Sequence, residues 1–484
     1  MATMDMTMRK KLGFTVVLAS VTVFSSVATG AEFEPAISLG VTHTDNVANS
    51  ADDPLDENIF RVEPAIRFVH ESKSLDVNLD YLMQALQYDD LDEDDIFHQG
   101  FFTARGNVLE EQAYLEIGAE RAQTLVDPEL DIPIGNLPLS ANRQDRDSYY
   151  VRPGFDFRLS PTVSAIGSYE YSRVENSAEQ LAGADADLGI AEFTLNNYQD
   201  GDGVTWALRY FWRRAVYDSF DPFENQRATA ELGFWATSST RVFTTFGMES
   251  AWDEPLEPGL EDSLWEVGFA YQAGERLQAE FAAGERSFGT SYRGDLDWSF
   301  RRGSMSFSYS QLPTTQAMEQ FRQGDLFDPT GIDDLLIRPG EAQRFIANNL
   351  EWTLQLEFSR LQVSFSAFSF DRTDRTNADG TQRPDESTRG LNASLDYRIG
   401  ARTSMQLGAR TSNLDLENEI DRDINWYNAG FNYRLGRRTS VWLSYQYVEE
   451  GAGGGLDGGA YESNSVTMML RWGAEGSESV RPLY

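Results

Sequence analysis

The side chains best suited to proton transfer or metal ligation near neutral pH are His43, His70 and His98, and all three fall near the N-terminus. Each would need convergent partners, yet no H-E-x-x-H or G-x-S-x-G pattern accompanies them. They read as polar residues on strand ends or loops, and no catalysis is expected of them. The chain has no cysteine, which removes thiolate metal sites, disulfides and cysteine nucleophiles together. Such a composition suits a polypeptide that crosses an oxidising periplasm unfolded. The run Asp89, Asp90, Asp92, Glu93, Asp94 and Asp95 offers hard oxygens at close spacing, as calcium prefers. It lacks the glycine and the distal glutamate of an EF-hand loop, so a solvated acidic loop is the stronger expectation. Arginine is frequent, while Lys73 is the one lysine beyond residue 30. The arginine fork suits phosphate and carboxylate, which would serve lipopolysaccharide contacts or a charge ladder in a pore. Genomic base composition explains the skew more simply. The pairs Arg301 with Arg302 and Arg437 with Arg438 fall in expected turns and read as solvated. The chain therefore reads as a non-enzyme with no cofactor.

Residues this poor in reactive chemistry shift attention to the elements that hold them. Residues 1–30 read as a secretory signal peptide: Arg9, Lys10 and Lys11 precede an apolar run from Leu12 to Val27, followed by Ala28, Thr29, Gly30 and Ala31. That run is too short and too interrupted for a membrane anchor. The formal charge of -37 becomes more negative once those three bases leave with the single acid Asp5. Such a balance argues against a nucleic-acid partner, whose phosphates need a basic face. No later segment offers about 18 consecutive apolar residues, so no transmembrane helix is expected. A barrel wall needs apolar residues only at alternate positions, so the mean hydropathy of -0.45 leaves a membrane barrel open.

The dominant pattern has a period of two. Leu75, Val77, Leu79 and Tyr81 alternate with Asp76, Asn78 and Asp80, and Val363, Phe365 and Ala367 with Gln362, Ser364 and Ser366. Trp352 to Phe358, Leu391 to Tyr397 and Val466 to Trp472 obey the same rule. The strands run about ten to thirteen residues, the length a tilted strand needs to cross hydrocarbon. Tight turns are expected at Glu71 to Ser74, Gly201 to Gly203, Ala273 to Arg276, Gly400 to Arg402 and Gly436 to Arg438. Longer acidic loops separate them: Asn46 to Asn58, Asp89 to Asp95, Thr124 to Asp147, Trp252 to Glu261, Pro313 to Gln343 and Gly451 to Ala460. Short turns on one side and long loops on the other describe an outer-membrane barrel. An internal repeat agrees: YRIGARTS from Tyr397 recurs as YRLGRRTS from Tyr433, with FRLSPTVS from Phe157 as a weaker echo. The fold expected is an all-β, antiparallel, up-and-down transmembrane barrel over residues 31–472, with a tail at 473–484. Pairing the segments gives about 22 strands, within a range of roughly 18 to 24. The doublets Tyr149 with Tyr150, Phe211 with Trp212 and Trp426 with Tyr427 are expected near strand ends, as an aromatic girdle.

Two stretches resemble a known family. FEPAISLGVTHTDNVANS, with Thr44, Asp45 and Asn46 closing the first strand, leads into IFRVEPAIRFVHESKSLDVNLDY, and the chain closes on YESNSVTMMLRW, with Tyr461, Asn464 and Val466. This resembles the barrel-porin group associated with exosortase/PEP-CTERM and exopolysaccharide gene clusters. The residues from Gly473 to Tyr484 depart from it, since they place Trp472 inside the sequence. The resemblance implies polymer export or envelope biogenesis, and it supplies no catalytic residues. The partners implied are outer-membrane lipid and lipopolysaccharide, the barrel-assembly machinery, a polysaccharide and periplasmic export components, at the cell outer membrane. A lumen lined by residues such as Asp76, Asn78, Asp80, Ser364 and Ser366 would pass a polysaccharide or another hydrophilic solute. A general or substrate-selective porin is the alternative. The segment Pro313 to Gln343, with a short helical piece expected around Gln316 to Phe321, is either a candidate constriction loop carrying Asp325, Asp328, Asp333 and Asp334 or an exposed outer cap.

Overall fold

The computed structural model describes residues 31–473 apart from 92, 110–111, 127–135, 141, 179–184, 198–202, 219–221, 252–259, 316–343, 377–380, 417–419 and 452–459. Every regular element among the described residues is a strand. The first eleven are β1 (Ala31–Thr44), β2 (Glu57–His70), β3 (Leu75–Tyr88), β4 (Asp94–Val108), β5 (Ala113–Leu125), β6 (Arg143–Arg158), β7 (Ser164–Asn176), β8 (Ala186–Asn196), β9 (Val204–Tyr217), β10 (Phe223–Thr237) and β11 (Thr240–Ala251). Then follow β12 (Leu260–Ala273), β13 (Leu277–Arg286), β14 (Gly289–Phe300), β15 (Gly303–Thr315), β16 (Arg344–Glu357), β17 (Leu361–Thr376), β18 (Glu386–Arg398), β19 (Thr403–Leu416), β20 (Ile420–Arg434), β21 (Thr439–Glu450) and β22 (Tyr461–Gly473). Each pairs antiparallel with the next, and β1 pairs with β22, so the 22-stranded sheet closes on itself. Closure gives every strand two neighbours and leaves no edge strand, the condition for a sheet to cross a membrane.

Alternation assigns the two faces. Phe60, Ile66, Tyr81, Phe365, Leu391, Leu443 and Met468 are large apolar residues left exposed on the outside. Residues of the opposite parity on the same strands point inward, among them Arg61, Glu63, Gln84, Thr388, Ser444 and Thr467, all buried. A water-soluble sheet would hide the first set, so the outer surface is built for hydrocarbon. The strands span 10 to 16 residues, somewhat longer than expected, because their upper ends carry inward polar residues beyond the apolar belt.

The connections divide by end. Segments 71–74, 301–302, 399–402 and 435–438 turn the chain at the end that also holds Ala31 and Gly473. The repeats at Tyr397 and Tyr433 and their echo at Phe157 all span turns at this end. The opposite end carries segments 45–56, 126–142 and 316–343. Several expected loop limits were drawn too wide. Thr124 belongs to β5, Arg143 to Asp147 to β6, Glu57 to β2, Asp94 to β4, and Pro313 to Thr315 to β15. Charged residues there face the interior or stand beyond the apolar belt, so polarity imitated a loop.

The aromatic doublets are corrected too. Tyr149 with Tyr150, Phe211 with Trp212 and Trp426 with Tyr427 lie well inside β6, β9 and β20. Consecutive strand residues point to opposite faces, so Tyr149 and Tyr427 stand outside while Tyr150 and Trp426 turn inward. One doublet cannot place two rings in a single outer girdle.

Candidate functional site: the inner wall and its mouth

The lumen residues expected from sequence fall on the inner face. Asp76, Asn78 and Asp80 of β3 share the inward side with Leu82, Gln84 and Leu86, opposite Arg105, Thr103 and Phe101 of β4. Asp76 also accepts a bond from the Ser72 amide at 3.1 Å, tying off its turn, and Asp80 stands 3.9 Å from Arg67. Ser364 and Ser366 of β17 point inward between Gln355 and Thr353 of β16 and Ser394 and Asn392 of β18. The structure does not bring the two groups together, since their strands are far apart around the ring. Asp325, Asp328, Asp333 and Asp334, with the helical piece expected near Gln316, lie outside the described residues.

Around β5 to β14 the inner wall is a chain of ion pairs. Arg152 joins Glu116 at 3.1 Å and also Glu170. Glu231 receives Arg209 at 2.8 Å and Arg241 at 2.6 Å; Arg241 reaches Glu280 at 3.5 Å, and Arg293 bridges Glu280 at 2.5 Å to Glu266 at 3.3 Å. Inside a partly desolvated wall such pairs are held by mutual charge and by bidentate geometry. The sector from β16 to β20 differs. Its inner positions mix the uncharged Ser364, Ser366, Asn392, Ser394, Gln406 and Asn428 with Glu351, Arg410 and ion pairs of Glu386 and Glu450 buried in the wall.

The long-loop end turns inward in two places. The ladder between β14 and β15 stops at Gly294 and Tyr309, whereas β15 stays paired with β16 up to Thr315. The upper β15–β16 hairpin thereby leaves its neighbour and leans into the barrel. Arg213 of β9 donates to the Pro313 carbonyl, and Tyr217 Oη lies 2.8 Å from Thr315 Oγ1. Arg286 of β13 donates to the Gln311 carbonyl at 2.8 Å, and the Gln311 side chain takes up the Tyr292 amide that the broken ladder released. The base of the expected constriction loop is therefore inside the ring. The second inward element is the segment 136–140, which sequence reasoning missed. Leu137 packs with Val47, Ile59, Leu86 and Tyr88; Asn136 donates to Gln84 at 2.6 Å, and the Leu139 amide to the Val47 carbonyl at 2.8 Å. Its only sequence signal was the apolar pattern Leu137, Pro138 and Leu139 inside an otherwise acidic loop.

The motifs at the chain's two ends meet at the closing seam. Asp45 accepts from the Asn464 amide at 2.7 Å and from Asn464 Nδ2 at 2.8 Å, while the Asp45 amide donates back to the Asn464 carbonyl. Asn46 donates to the carbonyls of Ser50 and Glu462, both at 2.9 Å. The acidic run is organised by Glu57, whose carboxylate accepts the amides of Asp89, Asp90 and Leu91. Asp92 lies outside the described residues, and among those described no group of three or more histidine or acidic side chains is arranged to hold a metal. His43 contacts Asn58, and His98 stacks beside Tyr81 with a 2.7 Å contact to its hydroxyl.

Against known proteins, no family model matches the sequence. No curated protein matches it either. Solved structures do share its shape. A mutant of the ferric enterobactin receptor PfeA from Pseudomonas aeruginosa aligns with a TM-score of 0.50 at 11% identity, over 92% of this chain and 81% of the receptor. A second mutant, in complex with enterobactin, aligns with a TM-score of 0.50 at 12% identity, over 93% and 82%. This chain has the fold of a 22-stranded transmembrane β-barrel. At such identity the likeness concerns the wall alone.

Proposed function

We propose that the chain is an outer-membrane pore that passes a polysaccharide or another hydrophilic solute, in exopolysaccharide export or envelope biogenesis. The observation that carries this reading is the two-faced closed wall, apolar outside and largely polar inside. Passage needs no covalent chemistry, only a wetted path with many weak contacts. Asp76, Asn78, Asp80, Ser364 and Ser366 would line that path, and the inward β15–β16 hairpin would narrow it, with Asp325, Asp328, Asp333 and Asp334 adding negative charge at the constriction. A cleaved signal peptide would deliver the chain to the barrel-assembly machinery, and the finished barrel would meet lipopolysaccharide on its outer face. Export further requires periplasmic components to hand over the polymer. Enterobactin is named for the receptors of similar shape, and no residue geometry in this wall argues for carrying it over.

The second reading is a porin for small hydrophilic solutes, favoured by the same polar inner positions, Ser364, Ser366, Asn392 and Ser394 among them. Glycosyltransferase and exosortase genes beside the coding sequence would favour export. Reconstitution of the full chain into planar bilayers tests both. Stepwise ion conductance is expected; a folded barrel that passes no current would leave a scaffold in place of a pore.

A further inference from the structure

Inside the barrel, aromatic rings lie where no lipid can reward them. Phe368 of β17 lies across Gly390 of β18, so that a Cβ there would strike the ring. Trp442 of β21 covers Gly430 of β20 in the same way. Glycine at each place lets the ring approach the wall more closely than any Cβ would allow. Phe370, the next inward residue of β17, stacks on Phe368 with centroids 5.2 Å apart and planes at 25°, and Arg410 stands 5.2 Å above the Phe368 ring. The same seating occurs outside, where Trp212 covers Gly189 and Phe155 covers Gly167, but there the free ring face meets hydrocarbon. An inward ring left partly open in a polar channel forgoes that gain, at about 25 cal/mol per Å². Trp426 is different: it is 8% exposed and packs as part of the wall.

The surroundings of these rings identify what they suit. Ser366, Asn392, Ser394 and Asn428 share their sector with Glu351 opposite Phe368 and with Arg410, while its Arg372–Glu386 and Arg422–Glu450 pairs are buried and mutually compensated. A solute with apolar C–H faces and a rim of hydroxyls matches rings set among hydroxyl, amide and a few charged donors and acceptors. We infer that the inner wall of β17 to β21 is a binding track for a neutral glycan, with Phe368, Phe370 and Trp442 as stacking platforms and the neighbouring serine and amide side chains as partners for sugar hydroxyls. This rests on the pore reading and deepens it to a substrate class.

The test uses the full chain in planar bilayers, with a neutral linear glucose hexasaccharide as probe and polyethylene glycol of similar length as control. The hexasaccharide should interrupt the current for longer than the glycol. The Phe368→Ala/Phe370→Ala double variant and Trp442→Ala should each weaken the block by about tenfold or more, a loss of about 1.4 kcal/mol per tenfold. Trp442→Phe, which keeps a ring, should retain most of it, and Phe211→Ala, on β9 across the ring, should not alter it. Heat-modified gel mobility confirms that each variant folds. Equal block by hexasaccharide and glycol, unchanged block in the platform variants, or stronger block by an anionic oligosaccharide would overturn the track. If no current flows at all, the pore reading fails instead; calorimetry of the hexasaccharide with the detergent-solubilised barrel then reads the track alone, and absence of heat overturns it.

Discussion

Arg422 and Glu450 face each other with both side chains wholly buried on the inner wall of β20 and β21. Neither charge has water to fall back on, so both rely on partners within the protein, each other among them. Arg422→Met alone should destabilise the barrel by about 3–5 kcal/mol, while Arg422→Met/Glu450→Leu should regain most of that loss. Urea unfolding of the refolded protein in detergent micelles measures it, and a harmless single variant would contradict the pairing. A second residue-scale device is Asp374, whose φ of 53° bulges β17. The bulge turns both Arg372 and Arg375 toward Glu386, at 3.7 and 3.1 Å, although residues three apart in a regular strand face opposite ways. The sequence showed which residues point inward, since parity alone decides it for Asp76 or Ser364. It did not show partners: the mate of Arg422 depends on register, and nothing in D-R-T-D-R-T announces where the parity slips.

At the scale of elements, the seam and the mouth hold the features that matter. Asp45→Ala removes both side-chain bonds to Asn464 where β1 meets β22. It should cost about 1–3 kcal/mol and lower the temperature at which the compact gel band converts to the unfolded one. Asp53→Ala, in the exposed part of the same loop, should leave that temperature unchanged. The T-D-N and Y-E-S-N motifs were visible in sequence, yet their meeting was not, because closure joins residues at opposite ends of the chain. For the mouth, Arg213→Ala/Tyr217→Phe severs the side-chain contacts that hold the β15–β16 hairpin against β9. Single-channel conductance should rise; an unchanged value would show that the hairpin does not narrow the path. Strand number, turn placement and the sidedness of the loops were legible from alternation and turn chemistry. The inward lean of the hairpin was not, since it comes from a ladder that ends early at Gly294, and the packing of Leu137 onto Tyr88 joins segments with no shared pattern.

For the whole molecule, fold and function rest on one arrangement: a closed ring of strands whose odd and even residues live in different solvents. Everything chemical, from the ion-pair chain to the glycan track, presupposes that the inner set is wet. The absence of cysteine makes this directly measurable, because any single cysteine introduced is the only thiol in the protein. Single substitutions to cysteine at 363, 364, 365, 366, 367 and 368 of β17, in barrels embedded in lipid vesicles, can be reacted with a charged, water-soluble maleimide. Labelling should alternate, fast at 364, 366 and 368 and slow at 363, 365 and 367, where a lipid-soluble maleimide should react instead. Uniform labelling by the charged reagent, or alternation of the opposite phase, would contradict a lipid-facing outside and a watered inside.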